Sequence, residues 1–160
     1  MTFTKSSATK LAIALIIPQL AGGIGALFTT PSIASWYGTI VKPSFNPPSW
    51  IFGPVWTTLF VLMGVALYLV WQQGAMRPQV RRALTIFGAQ LVLNTLWSIL
   101  FFGLHSPGAA LIEIVFLWFA IVATIFAFTK ISKTAAWLLA PYLAWVSFAA
   151  FLNFTIWRLN

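Results

Sequence analysis

The sequence predicts an all-α membrane protein, a bundle of five transmembrane helices in a single domain over residues 1–160. Only 6% of the residues are charged and 61% are hydrophobic, whereas soluble domains carry about 25% charged residues. Five long apolar segments follow one another, each close to the roughly 20 residues that a helix needs to cross a bilayer. Nine basic and one acidic side chains cannot cover a water-facing surface, so lipid must surround most of the chain.

The first predicted helix covers residues 11–28 and contains no charge. Lys5 and Lys10 before an apolar segment resemble a signal peptide, but the length of the segment and its glycines favour a retained helix. Pairs of small residues four positions apart, such as Gly22 and Ala26, let helix backbones approach closely in lipid. We therefore expect this helix to remain in the protein and to pack against its neighbours.

The other four predicted helices are bounded by ordinary start and stop signals. Gly74 stands at the C-cap position of the second helix, and a group of three arginines precedes the third. Ser106 and Pro107 provide an N-cap and a first helical residue for the fourth, and Arg158 ends the fifth. These helices cover residues 50–71, 83–102, 109–128 and 134–157.

The basic residues lie in the breaks between apolar segments, as expected for loops that stay on the cytoplasmic side. With five crossings, seven Lys and Arg residues share the side of the N-terminus and two lie on the other side. The rule predicts an inside N-terminus and an outside C-terminus in a plasma membrane, whereas an outer membrane need not obey it. The location, bacterial cell membrane or outer membrane, stays open. Nucleic-acid binding is not expected, because it needs a basic patch on a soluble module. The seven are Lys5, Lys10, Arg77, Arg81, Arg82, Lys130 and Lys133, and the two are Lys42 and Arg158.

The connection at residues 29–49 is longer than the other loops and contains four prolines. Connections of this length in compact domains are usually functional or disordered. Trp36, Tyr37 and Phe45 favour packing over disorder. The segment therefore predicts a lid over one end of the bundle.

The nine tryptophans are the most unusual feature of the composition. Five lie near segment ends and fit the aromatic belt at the membrane interface, but Trp118 and Trp145 lie near the middle of their helices. Trp56 and Trp97 lie within a turn or so of the middle, and Asn94 is a polar residue in the membrane that needs a partner. Three helices thus place Trp56, Trp97, Trp145 and Asn94 at similar depth below the lid. This pattern predicts a pocket for a flat apolar ligand, and ordinary core packing explains the same spacing equally well.

The ionisable residues do not form a conventional catalytic or metal site. The chain has no cysteine, and Glu113 is its single acidic residue. We expect Glu113 to lie near the interface, within reach of headgroups or of His105. A lone histidine is not a metal site, and neither a carboxylate pair nor a Ser/His/Asp set is present. No metal, no cofactor and no acid–base catalysis are expected.

Several motifs make the chain similar to the tryptophan-rich sensory protein or translocator protein family, also called the peripheral-type benzodiazepine receptor family. They include KPSFNPPSW at 42–50, GPVW at 53–56, QLVLNTLWS at 90–98 and PYLAW at 141–145. The resemblance extends over residues 36–160 and is that of a bacterial-type member.

The resemblance implies a five-helix homodimer that binds porphyrins such as protoporphyrin IX, sterols, and isoquinoline or benzodiazepine ligands. It also implies a part in tetrapyrrole transport, regulation or photo-oxidative degradation, in which Trp56 or Trp145 would act as the electron donor. Enzyme activity, if any, would be limited to that light-dependent degradation. The alternative is a structural or regulatory membrane subunit whose tryptophans only pack and whose partner is another protein. The implied ligand-binding residues are Tyr37, Trp50, Trp56, Phe60, Asn94, Trp97, Trp145 and Ala149.

A sterol-recognition pattern is implied at the end of the last helix. Leu152 and Arg158 match it, but Phe154 stands where the pattern has tyrosine. Such patterns are weak even when complete, so we expect weak sterol binding.

Overall fold

The computed structural model describes residues 5–160, with side chains from residue 7 onwards. The first four residues of the predicted domain, and the side chain of Lys5 in the charge count, lie outside this description. Within it the chain forms seven α-helices, one π-helical turn and no strand. The elements are α1 (Lys5–Ala34), α2 (Trp36–Thr39), α3 (Ser49–Trp71), α4 (Pro78–Ser98), the π turn (Ile99–Gly103), α5 (Pro107–Thr129), α6 (Lys133–Leu138) and α7 (Ala140–Leu159).

Five helical spans in the described chain are long and apolar enough to cross a membrane. A helix pairs most of its backbone polar groups internally, which is the arrangement that a lipid environment requires. The predicted fold class, a bundle of five membrane helices, is confirmed. The spans are Ser7–Ala34, Ser49–Trp71, Pro78–Gly103, Pro107–Thr129 and Lys133–Leu159.

Successive spans run in opposite directions, so the bundle has two ends. The loop end holds residues 35–48, and the side-chain amide of Asn160 forms hydrogen bonds with this loop. The Val41 N–H donates to Asn160 Oδ1 at 3.0 Å, and Asn160 Nδ2 donates to the Val41 carbonyl at 3.0 Å. The basic end holds residues 72–77 and 130–132, where Gln79 Nε2 donates to the Lys130 carbonyl at 3.1 Å.

Helix α1 is longer than the sequence predicted. The prediction that the connection begins at residue 29 was wrong, because α1 continues to Ala34 with Pro31 inside it. Side-chain hydroxyls support this last part: Ser35 Oγ donates to the Pro31 carbonyl at 2.8 Å. Ser32 Oγ donates across the bundle to the Phe102 carbonyl at 2.6 Å. The true connection to α3 is therefore residues 35–48, and α2 lies within it.

Two other predicted helices are interrupted. The segment predicted at 134–157 is divided at Leu139, with Pro141 in the first turn of α7; a proline cannot donate a helical hydrogen bond. The segment predicted at 83–102 ends in the π turn, where the Leu104 N–H donates to the Ile99 carbonyl at 2.8 Å. Phe101 and Phe102, both within this turn, are buried.

Candidate ligand-binding cavity

A cavity of about 520 Å³ lies in the loop half of the bundle, between α1, α3, the end of α4 and α7. This volume is within the usual range of small-molecule sites, roughly 300–1,000 Å³. All eight residues proposed from the sequence line it, and their role in binding remains a prediction. They are Tyr37, Trp50, Trp56, Phe60, Asn94, Trp97, Trp145 and Ala149.

Two indoles form much of the aromatic surface. The Trp56 ring stacks on Phe60 with 5.5 Å between ring centroids and an angle of 27°. The Trp145 ring meets Phe52 edge-on at 5.9 Å. Neither indole nitrogen donates a hydrogen bond within the part of the chain that the structure describes, and that of Trp145 is buried. Packing against aromatic rings and the apolar core, rather than hydrogen bonds, therefore holds these two rings in place.

The polar residues of the cavity are tied into networks between helices. Asn94 Nδ2 donates to the Tyr142 hydroxyl at 3.0 Å, and that hydroxyl donates to Gln90 Oε1 at 2.9 Å. Asn94 thus has the partner on a neighbouring helix that its depth in the membrane demands. Trp97 Nε1 donates to Asn153 Oδ1 at 3.0 Å, so this indole, unlike those of Trp56 and Trp145, is fixed by a hydrogen bond.

Tyr37 brings the loop to the cavity. It is the only residue of 35–48 among the lining residues, and its hydroxyl donates to Asn46 Oδ1 at 2.6 Å. Burial raises the pKa of the Tyr37 hydroxyl and the hydrogen bond with Asn46 opposes the rise, so the hydroxyl stays protonated at neutral pH. The Lys42 ammonium donates to the carbonyls of Tyr37 and Ile40 at 2.6 and 2.8 Å. These bonds order the predicted lid around Tyr37.

The lining carries no formal charge. Among the described residues that surround the cavity there is no Lys, Arg, His, Asp or Glu. An isolated charge pays a large desolvation cost in such surroundings unless it is paired. The cavity can therefore accept the apolar body of a ligand, while ionised substituents have to remain at the mouth.

The residues of the sterol pattern are not brought together in the cavity. Leu152 lines it, whereas Phe154 lies outside, is 46% exposed, and contacts Trp157 at 6.2 Å between ring centroids. Arg158 is exposed in the last turn of α7. The pattern thus spans an inner and an outer surface of the bundle.

The expectation for Glu113 and His105 was wrong. Glu113 is buried in α5, and neither carboxyl oxygen has a hydrogen-bond partner among the described residues. The His105 ring stacks instead on Trp36 with 4.6 Å between centroids. Glu113 lies within about two turns of the start of α5. It is nevertheless buried there, because α4 and α7 both pack against α5.

Helix α1 forms a cavity wall that the sequence reasoning did not assign. Gly22, Gly25 and Ala26 all line the cavity, and a Cβ on Gly22 would overlap the Phe60 ring. The small-residue pairs signalled close packing of this helix. They gave no sign that these residues would also line a ligand site.

The TspO/MBR family model matches residues 14–158 of the chain. The chain belongs to the TspO/MBR family. It is 51% identical to the tryptophan-rich protein TspO of Chlorobaculum tepidum, covering 94% of this chain and 95% of that protein. It is 39% identical to the human translocator protein, over 91% and 86% of the two chains. It is 38% identical to the tryptophan-rich sensory protein of Cereibacter sphaeroides, over 92% of each chain.

These relatives confirm the resemblance read from the motifs. With the five spans, they identify an integral, multi-pass membrane protein. The family supports a role as a membrane receptor or in transport.

Proposed function

We propose that this protein is a membrane receptor or carrier for tetrapyrroles of the protoporphyrin IX type, with the macrocycle held in the loop-half cavity. The observation that carries the proposal is the uncharged lining, in which two untethered indoles, Trp56 and Trp145, stand among aromatic rings. A flat apolar macrocycle that enters the cavity can replace its contacts with lipid by contacts with these aromatic side chains. Isoquinoline or benzodiazepine ligands have similar flat apolar surfaces and fit the same proposal.

The two ends of a porphyrin have different requirements. Its ring is apolar, whereas its propionate groups are anionic and cannot enter an uncharged cavity without a partner. We expect the propionates at the mouth, on the loop end, where Lys42 lies beside Tyr37. Receptor, transport and photo-oxidative roles all begin with this binding step, and in the last of them Trp56 or Trp145 would supply the electron.

The test compares three Trp→Phe variants in a porphyrin titration followed by tryptophan fluorescence. Aromatic stacking is worth roughly 1–3 kcal/mol per ring, and phenylalanine keeps part of it. We therefore expect Trp56→Phe and Trp145→Phe to weaken binding by about three- to tenfold and to slow light-dependent loss of porphyrin. Neither substitution removes a hydrogen bond between residues that the structure describes.

Trp71→Phe is the matched control, because Trp71 packs on the core and does not line the cavity. It should leave porphyrin affinity unchanged. Equal affinities in all three variants would favour the alternative, a structural or regulatory subunit whose tryptophans only pack.

The homodimer implied by the family is part of the proposal and is checked by cross-linking in the membrane. In a bacterial cell membrane, the seven-to-two charge count predicts an inside N-terminus.

A further inference from the structure

Five basic side chains cluster at the basic end of the bundle. Arg77, Arg81 and Arg82 lie at the start of α4, Lys130 lies in the turn before α6, and Lys133 is the first residue of α6. All five are exposed. The hydrogen bond from Gln79 to the Lys130 carbonyl joins the two segments, so the five residues form one surface, called here the basic surface.

The protein itself supplies no counter-ion to this surface. Glu113 is the single acidic residue of the sequence, and it is buried early in α5, in the half of the bundle nearer the loop end. Five positive charges that repel one another therefore need anions from outside the chain.

Apolar side chains beside the basic surface indicate where those anions come from. Met76, next to Arg77, is 90% exposed, and Trp137, one turn after Lys133, is 76% exposed. Tryptophan favours the membrane–water interface, and an exposed Met is better placed against acyl chains than in water. A free anion in solution would leave both side chains without a contact, whereas a lipid offers a phosphate and an acyl chain together.

We infer that the basic surface binds the phosphate groups of anionic phospholipids in the adjacent leaflet. Arginine suits this role because its planar guanidinium can donate two parallel hydrogen bonds to one phosphate. Each Lys or Arg near an anionic membrane surface contributes on the order of a fivefold factor in binding. The inference concerns the end opposite the cavity and does not depend on the proposed porphyrin site.

The experiment uses the full chain purified in detergent and counts bound lipid by native mass spectrometry. Phosphatidylglycerol is compared with phosphatidylcholine of the same acyl chains. We expect tighter binding of phosphatidylglycerol and a loss of about 25-fold in Arg81→Gln with Arg82→Gln. Phosphatidylcholine binding should not change. Arg81→Lys with Arg82→Lys keeps both charges and should retain most of the affinity.

A control variant at another position distinguishes the effect of the basic surface from the effect of the protein's net charge. Arg82→Gln alone should weaken phosphatidylglycerol binding by about fivefold, whereas Arg158→Gln, which removes one exposed charge at the loop end, should leave it within about twofold. Equal losses in these two variants, or equal binding of the two lipids by the unaltered chain, would overturn the inference. Displacement of the lipid by glycerol 3-phosphate at the same concentration would also overturn it, because a soluble anion would then suffice.

Discussion

Helices α1 and α3 lie side by side in both halves of the bundle, but they meet differently in each. In the basic half, Gly64 of α3 touches the backbone of α1: a Cβ there would lie 2.8 Å from Leu15 Cα. In the loop half the glycine is on α1, and Gly22 makes room for the ring of Phe60. The first contact joins two backbones, and the second joins a backbone to an aromatic side chain that borders a cavity.

The difference assigns separate tasks to the two halves. Backbone contacts across Gly64 cannot adjust without moving a helix, because close-packed interiors transmit strain. The rings of Trp56 and Trp145 border the cavity and donate no hydrogen bond to any described residue, so their packing can adjust without moving a helix. We therefore expect stability to depend mainly on the basic half and ligand binding on the loop half.

The largest expected effect is an all-or-none difference in labelling between the two ends. The chain has no cysteine, so Ser44→Cys and Gln79→Cys each give a single thiol at an exposed position, one per end. A membrane-impermeant maleimide added to intact cells should label the loop end only, because the basic end is expected inside. Labelling of Gln79→Cys without permeabilisation would refute this orientation.

Gly64→Ala should destabilise the protein, since its added methyl group would meet the α1 backbone. Overpacking of this kind costs about 1–3 kcal/mol, measured as a lower midpoint of thermal unfolding in detergent. The control is Gly88→Ala in α4, where a Cβ meets nothing within 4 Å and alanine is the better helix former. If both variants unfold at the same temperature, the close contact in the basic half does not carry the stability assigned to it.

Asn160→Ala should loosen the loop end with little effect on unfolding. It removes both hydrogen bonds between the Asn160 amide and Val41, each worth about 1 kcal/mol or less at an exposed position. We expect porphyrin to dissociate about three- to tenfold faster, measured by stopped-flow recovery of tryptophan fluorescence. Arg158→Ala, two residues earlier and with no hydrogen bond to the loop among the described residues, should not change the rate.

Phe154→Tyr carries the smallest expected effect. It restores the hydroxyl of the sterol pattern on a side chain that lies outside the cavity, and we expect a gain in sterol affinity of about threefold at most, since one exposed hydrogen bond contributes little. Sterol binding is measured for both chains in the same lipid mixture. An unchanged affinity would show that the hydroxyl is irrelevant here.

The five helices could be predicted because lipid leaves long apolar segments few alternatives. Their positions along the helices predicted similar depths for Trp56, Trp97, Trp145 and Asn94, and all four line the cavity. This succeeded because the rise of a helix is constant, so position along the chain gives depth in the membrane.

What the sequence did not reveal depends on contacts between distant segments. The end of α1 continues past Pro31 because Ser32 reaches the carbonyl of Phe102, some seventy residues away. The π turn that exposes this carbonyl has no distinctive residue pattern. The number of helical turns after Pro107 placed Glu113 near the interface. Its burial, however, depends on α4 and α7, which pack against α5. A position along one helix does not show which other helices lie against it.

The solitary acidic residue has a practical consequence for spectroscopy. With one Asp or Glu in the chain, every side-chain carboxyl band in an infrared difference spectrum must come from Glu113, and Glu113→Gln would remove it. The group is buried among the helices that border the cavity, so its carbonyl stretching frequency responds to changes in their packing. The protein thus carries a vibrational reporter at a known depth, readable without isotopes, dyes or an engineered residue.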